Sequence, residues 1–330
     1  INLLKNYINY WKKIKKSDKL YSTLYEEKNL KDVTNLFELV YNKKVKAEFW
    51  KWRLEKFGNP IRILFWEKEK LIGHYYLHPI KTKIDNHEEL CLQSMSIAIH
   101  PDFQGKGIVL FMAKEAYSEA RKQNYKFLFG YPNQKSFKIH QHLGWTIEKI
   151  PEFSKNISKK KYEKHQEFQI NEITKVDERI DKIWNFSNKS FQYMIKRDKE
   201  TLNWRYIQQP VNVFSNSPDY FYKMYLVEKE DTPIAYFVLK IFGTEKCHIV
   251  DFFGELNEDI FKSITNFAEK IAYSLNLKQI TFWTNRKELE KISINLGFYK
   301  NESEAYWGCL RLDEKFDKQI EDKNNWFITM

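Results

Sequence analysis

The stretch from Ser96 to Ile108 constrains this chain of 330 residues more than any other. It runs from an apolar segment typical of a strand into His-Pro-Asp-Phe-Gln-Gly-Lys-Gly, a basic loop with two glycines. Apolar residues then recur at helical rather than strand spacing: Leu110, Phe111, Ala113, Ala116, Tyr117 and Ala120. A Gly-x-Gly turn before a helix lets backbone amides point outward at the positive end of the helix dipole. The segment therefore predicts an anion cradle around Gly105 and Gly107, although an ordinary turn between strand and helix fits the same residues.

A second segment follows at a short distance. Lys126–Pro132 is a strand-like run closed by proline. Residues 134–142 predict a short helix, with Gly144 as its C-terminal stop.

Together the two segments resemble the acetyl-CoA-binding half of the GNAT superfamily of N-acyltransferases. The family pattern Gln/Arg-x-x-Gly-x-Gly/Ala is matched from Gln104 to Ile108 and departs at Val109, while Asn133-x-x-Ser136 with a later Leu-Gly-Trp matches the second CoA motif. The resemblance implies an α/β (α+β) fold with mixed, mostly antiparallel splayed sheets flanked by helices, and acetyl-CoA as acyl donor with no metal. It implies the following cofactor-binding residues: Ile97, Ile99, Gln104, Gly105, Lys106, Gly107, Ile108, Val109, Asn133 and Ser136.

The resemblance also assigns roles on the strand before the loop. The amide of Ile97 would face the thioester carbonyl, and Ile99 would bond the pantetheine arm. Many relatives carry a Glu or His base further up this strand, where this chain has Gln93 and Met95. Neither side chain accepts a proton, so the base comes from elsewhere or the amine loses its proton through water.

Histidine is the substitute that titrates near neutrality. His140 occupies the helix position where many relatives carry a tyrosine acid, so an imidazolium there could protonate the leaving thiolate. His74, on the preceding strand, is the second catalytic candidate. Alternatively, His140 only lines the pocket and His74 is a hydrogen-bonded core residue.

Trp52 and Arg53 precede the first predicted hairpin, in the region that borders the acceptor site in GNAT proteins. There an arginine could hold a phosphate or carboxylate, and a tryptophan could stack on a sugar or base. Trp204-Arg205 repeats the pair later in the chain, which favours a structural role in packing.

That echo belongs to an internal repeat. The hairpin Leu64–Tyr76 returns as Tyr225–Phe237, and Ile280–Asn285 with a later Leu-Gly-Phe parallels the second CoA motif. We therefore expect a basic amphipathic segment at 1–17, an acetyl-CoA-binding domain at 18–160 and a degenerate GNAT-like domain at 161–330, joined through the charged stretch 154–166. The second copy has acidic residues where the cradle should be, so it would be a wall of the acceptor pocket, a scaffold or a homodimer surface.

The composition limits the kinds of partner that this protein can bind. Lys and Arg outnumber Asp and Glu by 55 to 44, which suits an anionic ligand, but no nucleic-acid motif is present. Three widely spaced cysteines form no metal pattern or disulfide framework, and no apolar run approaches membrane-spanning length. These features favour a cytoplasmic protein.

The sequence thus predicts an acetyl-CoA-dependent N-acetyltransferase acting on a primary amine. Its tandem form and its Pro-Asn-x-x-Ser…Leu-Gly-Trp segment resemble bacterial enzymes that modify nucleotide-linked amino sugars for surface polysaccharides. Two alternatives stay open. One is an aminoacyltransferase of the peptidoglycan-bridge type, and the other is a non-catalytic acyl-CoA-binding module.

Overall fold

A computed structural model describes residues 20–54, 57–157, 167–211 and 220–329. The amphipathic segment predicted at 1–17 and the predicted division at residue 160 lie outside these ranges. The strands are β1 (Leu20–Leu24), β2 (Ile61–Glu67), β3 (Lys70–Ile84), β4 (His87–Ile99), β5 (Phe127–Gly130), β6 (Thr146–Lys149), β7 (Glu152–Asn156), β8 (Gln169–Ile173), β9 (Tyr193–Ile195), β10 (Tyr220–Lys229), β11 (Thr232–Phe242), β12 (Lys246–Gly254), β13 (Gln279–Trp283), β14 (Tyr299–Asn301) and β15 (Tyr306–Arg311). The α-helices are α1 (Leu30–Tyr41), α2 (Ala47–Leu54), α3 (Ile108–Lys122), α4 (Phe137–His142), α5 (Glu178–Ser187), α6 (Lys199–Leu202), α7 (Glu258–Ser274) and α8 (Lys287–Asn295).

The first sheet has the strand order β1-β2-β3-β4-β5-β15-β6, with β9 beside β3. Among its described strands, β4 and β5 form the only parallel strand pair. Helix α3 covers one face and buries four of the predicted residues, Ala113, Ala116, Tyr117 and Ala120. Ile108 and Met112, one turn apart, are buried as well, whereas the predicted Leu110 and Phe111 are only partly buried. Helices α1 and α2 cover the opposite face, because alternate strand residues point to opposite sides of a sheet.

The second sheet repeats this arrangement. Its order is β14-β7-β13-β12-β11-β10-β8, and β12 with β13 is again a parallel pair. The predicted hairpin repeat is present as β2–β3 and β10–β11. The long helix α7 contributes Ile260, Phe261 and Ile264 to the core beneath this sheet. The predicted fold class of mixed, mostly antiparallel sheets flanked by helices is confirmed.

Each sheet contains one strand from the half of the chain that forms the other sheet. Strand β15 inserts between β5 and β6, and β7 inserts between β13 and β14. Ser154 lies within β7, so the predicted linker does not begin at that residue. Because the exchange is reciprocal, unfolding either sheet removes a strand from the other.

Candidate functional site

The two parallel strands of the first sheet separate at their carboxyl ends. Their pairing ends at Ser94 and Gly130, and β4 then continues along β3 as far as Ile99. The gap forms a cavity of about 200 Å³ lined by Tyr41, Ser94, Met95, Ser96, Ile97, Gly130, Tyr131, Pro132, Asn133, Ser136 and His140. The structure thereby brings together four predicted site residues from distant parts of the sequence, namely Ile97, Asn133, Ser136 and His140.

A β-bulge at the mouth of this gap shapes strand β4. His74 pairs with Ala98 and Tyr76 with Met95, so Ser96 and Ile97 together oppose Tyr75. Ser96 has a φ of 46°, a left-handed conformation that costs a non-glycine residue about 1–2 kcal/mol. Surrounding contacts must therefore hold the bulge in place.

Three side chains supply those contacts. His74 Nδ1 lies 3.0 Å from the Ser96 carbonyl oxygen and donates to it. Arg53 donates from Nη1 to the Ser96 hydroxyl, and Tyr41 donates its hydroxyl to the Ile97 carbonyl. The peptide unit before Ile97 is thereby fixed, although sequence reasoning gave no sign of a bulge at this position.

The loop between β4 and α3 contains both predicted glycines in the left-handed region, with a φ of 72° at Gly105 and 75° at Gly107. A Cβ built on Gly105 would meet nothing within 4 Å, so the loop faces open space. Gly107 caps α3 without a side chain, and a helix start leaves its first amides without partners in the helix. This is the geometry of an anion cradle.

Side chains of the same loop brace it from behind. Lys106 Nζ donates to the Asp102 carbonyl at 2.6 Å, and Gln104 Nε2 donates to the Ile99 carbonyl at 3.1 Å. The side chain of Ile108 is buried and that of Val109 is packed against the core, so their backbone amides are the groups near the cradle.

Helix α4 carries the candidate acid or base. The Asn133 Oδ1 accepts from the amides of Lys135 and Ser136, each at 3.1 Å, and so fixes the turn that begins the helix. His140 Nδ1 lies 2.9 Å from the Ser136 carbonyl and donates to it, which leaves Nε2 as the acceptor nitrogen. Burial lowers the pKa of His140 below its usual 6.5, against the opposing effect of the Ser136 carbonyl. The ring is therefore predominantly neutral at pH 7.

A chain of hydrogen bonds connects Trp145, which follows α4, to Ser94 on β4. Trp145 Nε1 donates to Tyr117 Oη at 2.8 Å, Tyr117 Oη lies 3.2 Å from Tyr75 Oη, and Tyr75 Oη lies 2.9 Å from Ser94 Oγ. Burial raises the pKa of Tyr75 to about 12, so its phenol is neutral. Sequence reasoning missed this chain, although both Tyr117 and Trp145 stood inside the motifs.

A second cavity of about 260 Å³ adjoins the first on the side of α1 and α2. It is lined by Phe37, Tyr41, Lys43, Val45, Phe49, Trp50, Arg53 and Ser96. Tyr41 and Ser96 line both cavities. The two predicted acceptor residues are thus separated: Arg53 lies in this cavity, whereas Trp52 stacks on Trp204 with ring centroids 4.8 Å apart.

His74 is fully buried beneath the bulge. Its Nε2 accepts from Arg62 Nε at 3.3 Å, and its Nδ1 is used by the Ser96 carbonyl. Burial and the nearby charge of Arg62 lower the pKa of His74 well below 6.5. With both ring nitrogens occupied, any influence of His74 on a reaction passes through Ser96.

The corresponding gap of the second sheet is filled by the chain itself. Pairing of β12 with β13 ends at Ile249, and Thr284, just beyond β13, pairs with Thr329. The Thr329 hydroxyl donates to Asp251 Oδ1 at 2.7 Å on β12. Segment 326–329 therefore lies where the first sheet has its cavity.

The start of α7, the corresponding helix in the second half, is capped by a side chain of the protein itself. The Asn257 side chain accepts from the Ile260 amide at 2.9 Å, and Glu258 and Asp259 occupy the first turn of α7. Acidic side chains at this position repel a pyrophosphate.

No helix among the described residues has the length and apolarity needed to span a bilayer. No group of three or more His, Cys, Asp or Glu residues converges there as a metal site.

Comparison with known proteins agrees with this geometry. The family model described as an acetyltransferase (GNAT) domain matches residues 23–147. A search of curated protein sequences finds no match. Residues 23–147 therefore match a GNAT acetyltransferase domain, which supports an acyltransferase that uses an acyl-CoA.

Solved structures share the fold at low sequence identity. A conserved protein of unknown function from Enterococcus faecalis, described as a probable N-acyltransferase, has a TM-score of 0.69 at 13% identity, covering 89% of this chain and 73% of its own. A GCN5-related N-acetyltransferase from Anabaena variabilis has a TM-score of 0.66 at 12% identity, with the same coverage of 89% and 73%. The Saccharomyces cerevisiae N-myristoyltransferase with bound myristoyl-CoA has a TM-score of 0.60 at 10% identity, covering 88% of this chain and 78% of its own. At these identities the likeness concerns the fold alone.

Proposed function

We propose that this chain transfers an acetyl group from acetyl-CoA to a primary amine. The observation that carries the proposal is the convergence of the bulge at Ser96, the gap between β4 and β5 and the imidazole of His140 on one cavity. The glycine cradle at the start of α3 stands at the end of the same strand. Acetyl-CoA supplies a thioester, and the chain supplies the groups that position it.

The backbone is suited to hold the donor. Beyond Ser94 strand β4 has lost its β5 partner, so its edge amides can pair with the pantetheine arm. We assign that contact to Ile99 and assign the Ile97 amide, held by the fixed bulge, to the thioester oxygen. The pyrophosphate would lie at the loop amides of Gly105 to Val109, with Asn133 and Ser136 close to the arm.

His140 is best suited to act as a base. Its Nδ1 proton is committed to Ser136, its Nε2 is an acceptor, and its lowered pKa keeps it neutral at pH 7. A neutral imidazole takes a proton from the attacking amine more readily than it donates one to a thiolate. Gln93 and Met95 cannot perform this step, so the proposal assigns it to His140.

His74 has a positioning role in this proposal. It holds the Ser96 carbonyl, and Arg62 fixes the tautomer of the imidazole from the other side. Loss of His74 would release the left-handed conformation of Ser96 and with it the orientation of the Ile97 amide.

The acceptor proposed here is a nucleotide-linked amino sugar used in surface polysaccharide synthesis, in the cytoplasm where acyl-CoA is available. The resemblance of the Pro-Asn-x-x-Ser segment to enzymes of this kind supports this class. Of the roles open to the second half, a wall of the acceptor region is favoured, because Trp204 of the second half stacks on Trp52, the residue before Arg53.

The test measures free thiol released from acetyl-CoA by the purified full chain with a panel of amines, including amino sugars and their nucleotide-linked forms. We expect amine-dependent thiol release and a product heavier by one acetyl group. Binding of CoA without release with any amine would instead indicate a non-catalytic module. An aminoacyltransferase would instead transfer an aminoacyl group from charged tRNA, a donor that does not require a pyrophosphate-binding loop.

A further inference from the structure

Two arginine side chains lie behind Ser96 without an acidic partner among the described residues. Arg62 on β2 is 2% exposed, and its Nη1 and Nη2 have no hydrogen-bond partner. The Nε of Arg53 on α2 is buried and also has none. The charged side chain that affects the pKa of Arg53 is that of Arg62, which is itself a cation.

Two neighbouring buried cations are unfavourable by themselves. Burial, together with the neighbouring charge of Arg62, lowers the pKa of Arg53 to about 10. Buried charges are ordinarily paired, since leaving one without a counterion costs several kcal/mol. Aromatic faces offset part of this cost: Arg62 Cζ lies 3.6 Å from the Tyr25 ring centroid and Arg53 Cζ lies 4.6 Å from that of Phe49.

Arg53 also lines the second cavity, where Lys43 is a further cation. The remaining lining is largely aromatic, and none of the lining residues is a carboxylate. The cavity volume of about 260 Å³ lies below the usual range for drug-sized ligands, about 300–1,000 Å³. It therefore suits the small head of a molecule rather than a whole nucleotide.

We propose that this cavity binds an anionic group of the acceptor, a phosphate or carboxylate, with Arg53 as the contacting cation. The inference rests on the proposed acyl transfer and deepens it by naming the acceptor class: amines that also carry an anion. Ser96 and Tyr41 form the shared wall, so an acceptor anchored at Arg53 extends past Ser96 toward Ile97 and His140. Arg62 adds positive potential from behind.

The activity test uses three amines of similar length: ethanolamine, phosphoethanolamine and β-alanine. Glucosamine and glucosamine 6-phosphate form a second matched pair. We expect kcat/KM for at least one anionic amine to exceed that of its neutral match by about 30-fold or more, because truncating a buried charge pair typically costs at least that factor. The two anions distinguish a phosphate site from a carboxylate site.

Variants connect this preference to Arg53. Arg53→Met should abolish the ratio between anionic and neutral amines, and Arg53→Lys should retain part of it. Equal kcat/KM for neutral and anionic amines in the wild type would overturn the inference, as would a preference that persists in Arg53→Met.

A binding test is independent of turnover. Inorganic phosphate or acetate should raise the Tm of the wild type and of the control Arg179→Met, whose wild-type residue pairs with Asp177 and Glu228. Neither anion should raise the Tm of Arg53→Met to the same extent. Equal shifts in all three proteins would contradict the inference, whereas absence of acetylation of every amine would contradict the proposed function alone.

Discussion

Trp52 and Trp204 exchange hydrogen bonds between the two halves of the chain. Trp52 Nε1 donates to the Trp204 carbonyl at 2.8 Å, and Trp204 Nε1 donates to the Trp52 carbonyl at 3.1 Å. Their rings stack with an interplanar angle of 17°. Each tryptophan is followed by an arginine, so the repeated Trp-Arg pair forms a locally symmetric contact between the two halves.

The first prediction concerns this contact. Trp52→Phe keeps an aromatic ring but leaves the Trp204 carbonyl without its donor, so it should lower the free energy of unfolding by about 1–3 kcal/mol. In the double variant Trp52→Phe/Trp204→Phe, the loss of unfolding free energy measured with urea should differ from the sum of the two single losses by about 0.5–1.5 kcal/mol.

Trp50 provides the control, because its buried indole nitrogen has no hydrogen-bond partner. Trp50→Phe also removes ring volume in the same helix, but its effect should add to that of Trp204→Phe. An additive Trp52–Trp204 pair would mean that the reciprocal hydrogen bonds contribute nothing to stability.

The second prediction tests the cradle. Gly107→Val should weaken CoA binding by more than about tenfold in calorimetry, because a side chain then stands at the start of α3 where phosphate would approach. Gly243→Val is the matched control, since Gly243 also has a positive φ, 47°, in the turn between β11 and β12. Both variants lose a similar amount of stability, about 1–2 kcal/mol, and only the first should lose affinity.

The third prediction concerns the number of sites. One CoA should bind per chain, because segment 326–329 fills the gap of the second sheet and Asn257 satisfies the start of α7. Neutralising Glu255, Glu258 and Asp259 together should leave CoA affinity unchanged. A stoichiometry of two in equilibrium dialysis would show that the second half also binds the donor.

The sequence predicted the local elements of the two sheets, but it did not predict which strands pair with one another. The hairpin repeat and the glycine loop are local patterns, and their elements appear where the periodicity placed them. The exchange of β7 and β15 depends on pairing between strands far apart in the chain. An alternating pattern shows which face of a strand is buried but not which neighbour it joins.

Prediction of the site residues had the same limit, because a local pattern does not reveal contacts between distant parts of the chain. His140, Asn133 and Ser136 were predicted because they stand in a motif, and in the structure all three line the first cavity. Arg62 was missed because it is one basic residue in an otherwise apolar strand, and its meaning depends on His74 across the hairpin. The positive φ of Ser96 was missed because serine gives no local sign of a left-handed conformation.

The fourth prediction follows from His78. Burial lowers the pKa of this histidine to about 3, while its ring stacks on Trp204 at 5.0 Å. The unfolded chain binds this proton near pH 6.5, so the unfolded state takes up more protons between that pH and about 3. Stability should therefore fall as the pH drops below about 6.5.

His78→Phe removes the titration and keeps an aromatic ring against Trp204. The loss of stability between about pH 7 and pH 4.5 should be smaller in this variant than in the wild type, as measured by urea unfolding at each pH. His142→Ala, an exposed histidine, should keep the wild-type dependence. A slope in His78→Phe equal to that of the wild type would assign the acid sensitivity to other groups.

The fifth prediction separates the two roles that His140 can play. As a base it must be neutral, so kcat should fall as the pH drops through its pKa, which burial places below 6.5. His140→Ala should lower kcat by about 10²–10⁴-fold and remove this acid limb, the usual effect of losing a positioned base. The KM for acetyl-CoA should change far less, because the strand and loop hold the donor.

His140→Tyr decides between base and acid. A tyrosine is protonated at neutral pH and can donate to a leaving thiolate but cannot accept from an amine. If His140 is a base, this variant should be as impaired as His140→Ala. Substantial activity in His140→Tyr would instead assign proton donation to this position, as the family resemblance implies. His142→Ala, on the exposed side of the same helix, controls for damage to α4 and should retain wild-type kcat. If all three variants turn over like the wild type, His140 only lines the cavity, and the proton leaves the amine through water.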